Sequence, residues 1–183
     1  MKKIVFIVVF TAFCGKEVSA QDYFRIPSVK VGNTVLMCEK LTNRFQVRDA
    51  SFDTTRYEIV EPQNVSISNV KFISQRVIHF VFFEVFTLER LKELSENEKI
   101  FDMVFYVNNK GLLYQTSYTV AFNSKLKPSE LVKLDSLMKQ RFKFTTDEFE
   151  KTGNEKLQFS QLIRYEKIIN GEKIRPLDEW EYP

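Results

Sequence analysis

Five side chains in this sequence stand in settings where chemistry is worth weighing: Cys38, His79, Glu84, Asp102 and Trp180. Cys38 with His79 as its base would make a nucleophile, because a nearby imidazole favours the reactive thiolate. No local signature joins the two, and a cysteine inside VLMCEK reads equally as a small buried hydrophobe. His79 stands between Ile78 and Phe80, a setting that suits a hydrogen-bonded core or interface histidine. Glu84 and Asp102 are carboxylates within apolar runs. Burial would raise their pKa values toward the general-acid range, and a facing pair would suit sugar hydrolysis. Each also has a solvated reading, Asp102 pointing away from Phe101 and Met103 on a strand and Glu84 on the wet side of a helix. Trp180, in RPLDEWEYP, is placed to anchor that segment on the domain or to offer an aromatic ring to a partner. These five are residues of interest. None is assigned a catalytic, cofactor-binding or metal-binding role.

The spacing of glycine and histidine removes whole classes of chemistry. Beyond Gly15 the chain has only Gly32, Gly111, Gly153 and Gly171, no two closer than 18 positions. A dinucleotide-binding GxGxxG, a P-loop and a nucleophile elbow all need glycines within a few residues of one another. His79 is the one histidine among 183 residues, so HExxH and multi-histidine zinc sites are absent. The expectation is a protein that works without metal or cofactor.

Residues 1–20 read as a secretory leader. Lys2 and Lys3 precede an apolar run from Ile4 to Phe13, and Val18-Ser19-Ala20 presents small residues at a cleavage site. The run is too short to span a bilayer, which needs about 20 apolar residues. Lipid attachment at Cys14 would need a small residue before it, and Phe13 stands there. Residues 21–183 are therefore expected as one exported domain, periplasmic or extracellular, with no membrane-spanning segment.

Removing that leader changes the electrostatics. The chain has 27 Lys+Arg and 24 Asp+Glu; Lys2, Lys3, Lys16 and Glu17 fall within the leader, which leaves a net charge of +1 on the remainder. A near-neutral, interspersed surface offers no footprint for nucleic acid. Cys38 becomes the one remaining cysteine, so an internal disulfide is impossible and a packed core must hold the fold. Fifteen Phe, seven Tyr and Trp180 supply it.

The elements that would position the five residues follow from periodicity. Short strands are expected at 34–41 (TVLMCEKL), 44–48, 56–60 and within 65–73, separated by turn residues. In the first, Val35, Met37 and Leu41 share a face. The segment 75–96 reads as largely helical, as two helices meeting near Thr87, with Leu88, Leu91 and Leu94 on one face. A strand over 77–83 is the alternative, because Val, Ile and Phe favour it. Phe101, Met103, Phe105 and Val107 then form a strand face, Asn108 to Gly111 (NNKG) a turn, and 112–122 a second strand with Gln115, Ser117 and Thr119 on its polar side. That hairpin is expected to keep one wet face. Pro128 opens a helix striped by Leu131, Leu134, Leu137, Met138 and Phe142, and a strand at 157–167 can return beside the hairpin.

The leader followed by QDYFRIP, the block EVFTLERLKELSENEKIFDMVFYVNNKG, and the hairpin, helix, strand order resemble a family of small uncharacterised secreted proteins from Bacteroides-type bacteria. The resemblance implies no activity and no site residues. The order over 101–165 also resembles the C-terminal domain of TonB-type energy transducers, which implies an envelope partner. The fold expected is α+β: one domain, an antiparallel sheet with about two main helices on one face. The function expected is a non-enzymatic binding or interaction module with a protein or glycan partner in the envelope. The alternatives are a carboxylate-based hydrolase and an envelope partner of TonB-like topology.

Overall fold

The computed structural model describes residues 23–52, 75–98, 100–108, 110–144 and 156–172. The leader with Cys14, the strands expected at 56–60 and within 65–73, and Trp180 lie outside the described residues. Among those described, six strands form one antiparallel sheet: β1 (Ser28–Val31), β2 (Thr34–Lys40), β3 (Arg44–Asp49), β4 (Ile100–Asn108), β5 (Leu113–Ala121) and β6 (Lys156–Arg164), in the order β1-β2-β3-β5-β4-β6. Four helices accompany it: α1 (Gln75–Val85), α2 (Leu88–Asn97), α3 (Pro128–Arg141) and α4 (Tyr165–Ile169). The α+β class is as expected. The helical layer is larger than the two main helices read from sequence, with three helices of ten residues or more and one short one.

The turns follow from their residues. Val31 pairs with Thr34 across a two-residue loop in which Gly32 takes φ 58°, a left-handed value that an L side chain resists. Asn108 Oδ1 accepts the N–H groups of Lys110 and Leu112, each at 3.0 Å, and Gly111 turns the chain at φ 71° into β5. Thr87 caps α2 by accepting the Arg90 N–H at 3.2 Å, and Glu130 reaches back to the Lys127 N–H at 2.8 Å to close the first turn of α3 behind Pro128. The strand expected at 157–167 stops at Arg164, because Tyr165, Ile168 and Ile169 carry helical apolar spacing. Gly171 ends that helix at φ 66°: its N–H meets the Ile168 carbonyl and the Glu172 N–H meets the Lys167 carbonyl, a Schellman stop.

One apolar core joins the helices to a single sheet face. Ile78, Val81 and Phe82 of α1, Leu91 and Leu94 of α2, and Leu131, Leu134 and Met138 of α3 pack toward Phe45, Val47, Met103, Phe105, Val107, Tyr118 and Val120. Residues 77–83 are thus helix, with Phe80 and Phe83 left outside. Two stripes need correction. On β2 the core side is Leu36 and Cys38, so Met37 and Leu41 are exposed; both faces of that strand carry apolar residues, which makes alternation a poor guide to which one is inside. Leu88 is also exposed, because it opens α2 a turn before the helix reaches the core.

Candidate functional site

The sheet face away from the helices is built by register. Paired residues in an antiparallel ladder point to the same side. Gln46 pairs with Thr119 and Thr119 with Asp102; Arg48 pairs with Ser117 and Ser117 with Val104; Arg44 pairs with Ala121. At these pairs the outward residues of β5 are Ser117, Thr119 and Ala121, all small, beside Arg44, Gln46 and Arg48 of β3 and Asp102 and Val104 of β4. Gln115, paired with Tyr106, is buried, and its Oε1 accepts from Lys139 Nζ of α3 at 3.1 Å. The strip runs about 14 Å from Ser117 to Ala121 at about 3.4 Å per residue.

This face is not the wet one expected from sequence. Ser117 is 1% exposed, and its Oγ has no hydrogen-bond partner. A small residue at the centre of a sheet sinks below its longer neighbours, a burial that alternation alone does not reveal. Asp102 Oδ1 and Gln158 Oε1 are likewise buried without a partner. Gln158 pairs with Tyr106 across β4 and β6, so all three orphaned atoms lie on the same face. Buried polar atoms are ordinarily paired, and each exception calls for an explanation. Toward β2 the face opens to solvent at Met37 and Glu39.

Both ends of this strip are held. At one, the Ala121 N–H donates to Glu98 Oε1 at 2.7 Å, and Asn123 Nδ2 donates to the Asn97 carbonyl at 3.1 Å. At the other, Phe52 packs on Tyr106 with ring centroids 4.6 Å apart, and Tyr114 lies 6.3 Å from each. Tyr114 is the extra residue where register shifts between Tyr106 and Val107, a bulge that turns its ring toward this cluster. Burial pushes the Asp102 carboxyl up, against Arg44, the Thr119 hydroxyl and the Met103 N–H, which favour its charged form. Burial also raises Glu98, opposed by the Ser124 hydroxyl, the Ala121 N–H and Arg44.

The other residues of interest are scattered. Glu84 is exposed on α1, where Arg141 Nη1 pairs with its carboxylate at 2.5 Å. It stands on the helical side of the sheet and Asp102 on the other, so the two do not face one another. Cys38 is half-buried on the core side of β2, and burial pushes its thiol up to about 12 with no contribution from a neighbouring cation. His79 Nδ1 lies 3.4 Å from the Ile168 carbonyl, which ties α1 to α4. Ser117 is legible in the sequence as a polar position of the hairpin, whereas Gln46, Arg48 and Gln158 carry no mark of the face they share with it. The one sequence signal was the run of small residues at alternate positions of β5, and its meaning depends on the β3–β5 pairing.

Glu39, the other acid in the row through Gln46, Thr119 and Asp102, stands three strands from Asp102, about 14 Å at the usual strand spacing, with Gln46 and Thr119 between. That separation is well beyond the spacing of glycosidase carboxylates. Among the described residues no three His, Cys, Asp or Glu side chains gather as a metal site would need, and no helix is long and apolar enough to cross a membrane.

No family model and no curated protein matches the chain. Among solved structures, that of a DUF5043 family protein from Bacteroides uniformis superimposes with a TM-score of 0.63 at 14% identity, over 78% of this chain and 86% of that one. The likeness to uncharacterised proteins of Bacteroides-type bacteria is thus met in the fold, which this chain shares with that protein.

Proposed function

We propose that the protein is an exported binding module of the cell envelope whose binding surface is the sheet face away from the helices. The observation that carries the reading is the part-exposed polar row of that face, where Gln46, Thr119 and Asp102 stand in register beside Arg48. Export rests on the leader at 1–20. A carboxylate hydrolase is the weaker reading, since Glu84 and Asp102 stand on opposite sides of the sheet. The β4, turn, β5, α3, β6 order matches that of TonB-type C-terminal domains, but topology alone carries no function.

The test is native mass spectrometry of the protein purified from the envelope of its host, beside Thr119→Arg, which alters the part-exposed centre of that face. The expected result is a mature chain beginning at Gln21 with a noncovalent adduct that the variant lacks at unchanged circular dichroism. A chain that keeps Met1 in the cytoplasm overturns export. An adduct that the variant retains, or wild-type protein that emerges with nothing bound, overturns this face as the binding site.

A further inference from the structure

We infer that residues 173–183 cross the outer side of α1 and seat the Trp180 ring on Phe80 and Phe83. Among the described residues, Phe80 and Phe83 are the only aromatic rings in the set of exposed large apolar side chains. They stand three residues apart on α1, so they are neighbours on its solvent side. Single exposed apolar residues are ordinary, whereas two adjacent rings make a seat about the size of one aromatic side chain. This seat lies on the helical side of the sheet, apart from the binding face proposed above.

The place where the chain leaves the described structure selects the occupant. His79 is the residue of α1 that meets α4, with Nδ1 3.4 Å from the Ile168 carbonyl. At about 100° per residue, Phe83 lies about 40° round α1 from His79, Phe80 about 100° and Glu84 about 140°. The two rings therefore begin on the α4 flank of α1 and end at Glu84, which Arg141 and Lys133 of α3 hold. The chain exits on that same α4 flank. Gly171 turns it at the end of α4, and the Glu172 N–H, bonded to the Lys167 carbonyl at 2.9 Å, fixes the exit beside Ile168. Phe83 is one turn of α1, about 6 Å, along from His79. Trp180 is eight positions beyond Glu172, a reach of up to about 26–29 Å when extended, so it arrives at the seat with chain to spare. The segment also carries Ile174, Leu177 and Tyr182, more apolar surface than a solvated tail needs. Trp180 suits a seat at the surface, because its ring can cover the two phenyl groups while the indole N–H stays in water.

Trp180 is the one tryptophan of the chain, so its fluorescence reads the contact directly. The test is tryptophan emission and acrylamide quenching of the purified protein, beside Phe80→Ser, Phe83→Ser, the two combined, and Met37→Ser, which removes an exposed apolar side chain from the opposite face of the sheet. Wild-type emission is expected to the blue of its position in denaturant, with quenching severalfold weaker. Each phenylalanine variant should move both toward the denatured values at an unchanged melting temperature, and Met37→Ser should move neither. Native wild-type emission at the denatured position overturns the contact and leaves the seat to residues 53–74 or to another molecule. Blue emission that survives the combined variant places Trp180 elsewhere and overturns the seat. Blue emission lost on dilution assigns Trp180 to a second copy of the chain and overturns the contact within one. A second reading leaves α1 untouched: Trp180→Ala should increase binding of the apolar dye ANS, and adding Phe80→Ser should abolish the increase. No increase in Trp180→Ala overturns the proposal.

Discussion

The Ala121 N–H and the Glu98 carboxylate are joined across 2.7 Å, which ties the segment after α2 to the end of β5. Glu98 is 6% exposed, its other oxygen Oε2 has no partner, and burial raises its pKa. The groups that face it are the Ser124 hydroxyl and Arg44, and Tyr165 lies within its field. A carboxyl whose folded pKa exceeds its unfolded value stabilises the fold most below the unfolded value, and the benefit is lost as pH rises through the folded one. Each unit of elevation is worth about 1.4 kcal/mol. Glu98→Gln keeps an acceptor for Ala121 and removes the ionisation. The melting temperature of wild type should therefore fall relative to this variant as pH is raised from about 4 toward 8. A constant gap across that range would refute the assignment. Glu98→Ala leaves the Ala121 N–H unmet and should cost about 1–3 kcal/mol near pH 4, a cost that shrinks as the wild type loses stability toward pH 8.

The thiol of Cys38 is a second titration with a different consequence. It packs against the core from β2, and burial alone lifts its pKa to about 12. At pH 8 it is protonated, so a disulfide reagent such as DTNB should react at least tenfold more slowly with the folded chain than with the chain in denaturant. Reaction as fast in the native state would place the thiol in contact with solvent and revive a nucleophilic role. Cys38→Ala should cost about 1 kcal/mol through lost packing and leave ligand binding unchanged.

Much of this architecture is legible in local pattern, and the reasons differ by element. The turn of β4 into β5 is legible because Asn108 and Gly111 each have a conformational task there. Thr87 is legible as a cap because it precedes leucines at helical spacing. The burial of Ser117 is not legible, because it depends on β3 lying beside β5. Those strands are about 70 residues apart in sequence and meet through the register of Val47 with Tyr118. Alternation marks Ser117 as polar and opposite to Tyr118, which is true of both an open face and a covered one. The spacing of Glu84 and Asp102 likewise carries no information about which side of the sheet each occupies.

Arg90 shows how burial decides the worth of an ion pair. Its Nε and Nη2 meet the two oxygens of Glu130 at 2.8 and 3.0 Å, Nη2 also meets the Lys125 carbonyl at 2.6 Å, and the paired side chains are each 15% exposed. Glu130 in turn accepts the Lys127 N–H, so the pair joins the start of α2 to the start of α3. Arg90→Ala leaves the Glu130 carboxylate largely buried beside an empty site and should destabilise the fold by about 3 kcal/mol in urea denaturation. Glu93 pairs with the same arginine at 2.6 Å but is 41% exposed. Glu93→Ala should cost under about 1 kcal/mol and less still in high salt. Equal losses for the two variants would mean that Glu130 is more solvated than its exposure implies.

The register of α1 gives the last test, because it decides what that helix offers to solvent. Phe82 is fully buried, packs 5.8 Å from Phe86 between ring centroids, and belongs to the core. Phe80, two residues earlier, is 65% exposed, and Phe83, at the next helical step, is 44% exposed. A strand over these residues would put Phe80 and Phe82 on the same side, whereas a helix separates them by about 200°. Phe82→Ala should therefore cost about 3–5 kcal/mol, the loss of a buried ring together with the cavity left behind. Phe80→Ser should change stability by no more than about 0.5 kcal/mol. Two substitutions of similar cost would return the segment to the strand that its Val, Ile and Phe content permits. A neutral Phe80→Ser together with a damaging Phe82→Ala would show that composition favoured one structure at this segment while core packing selected the other.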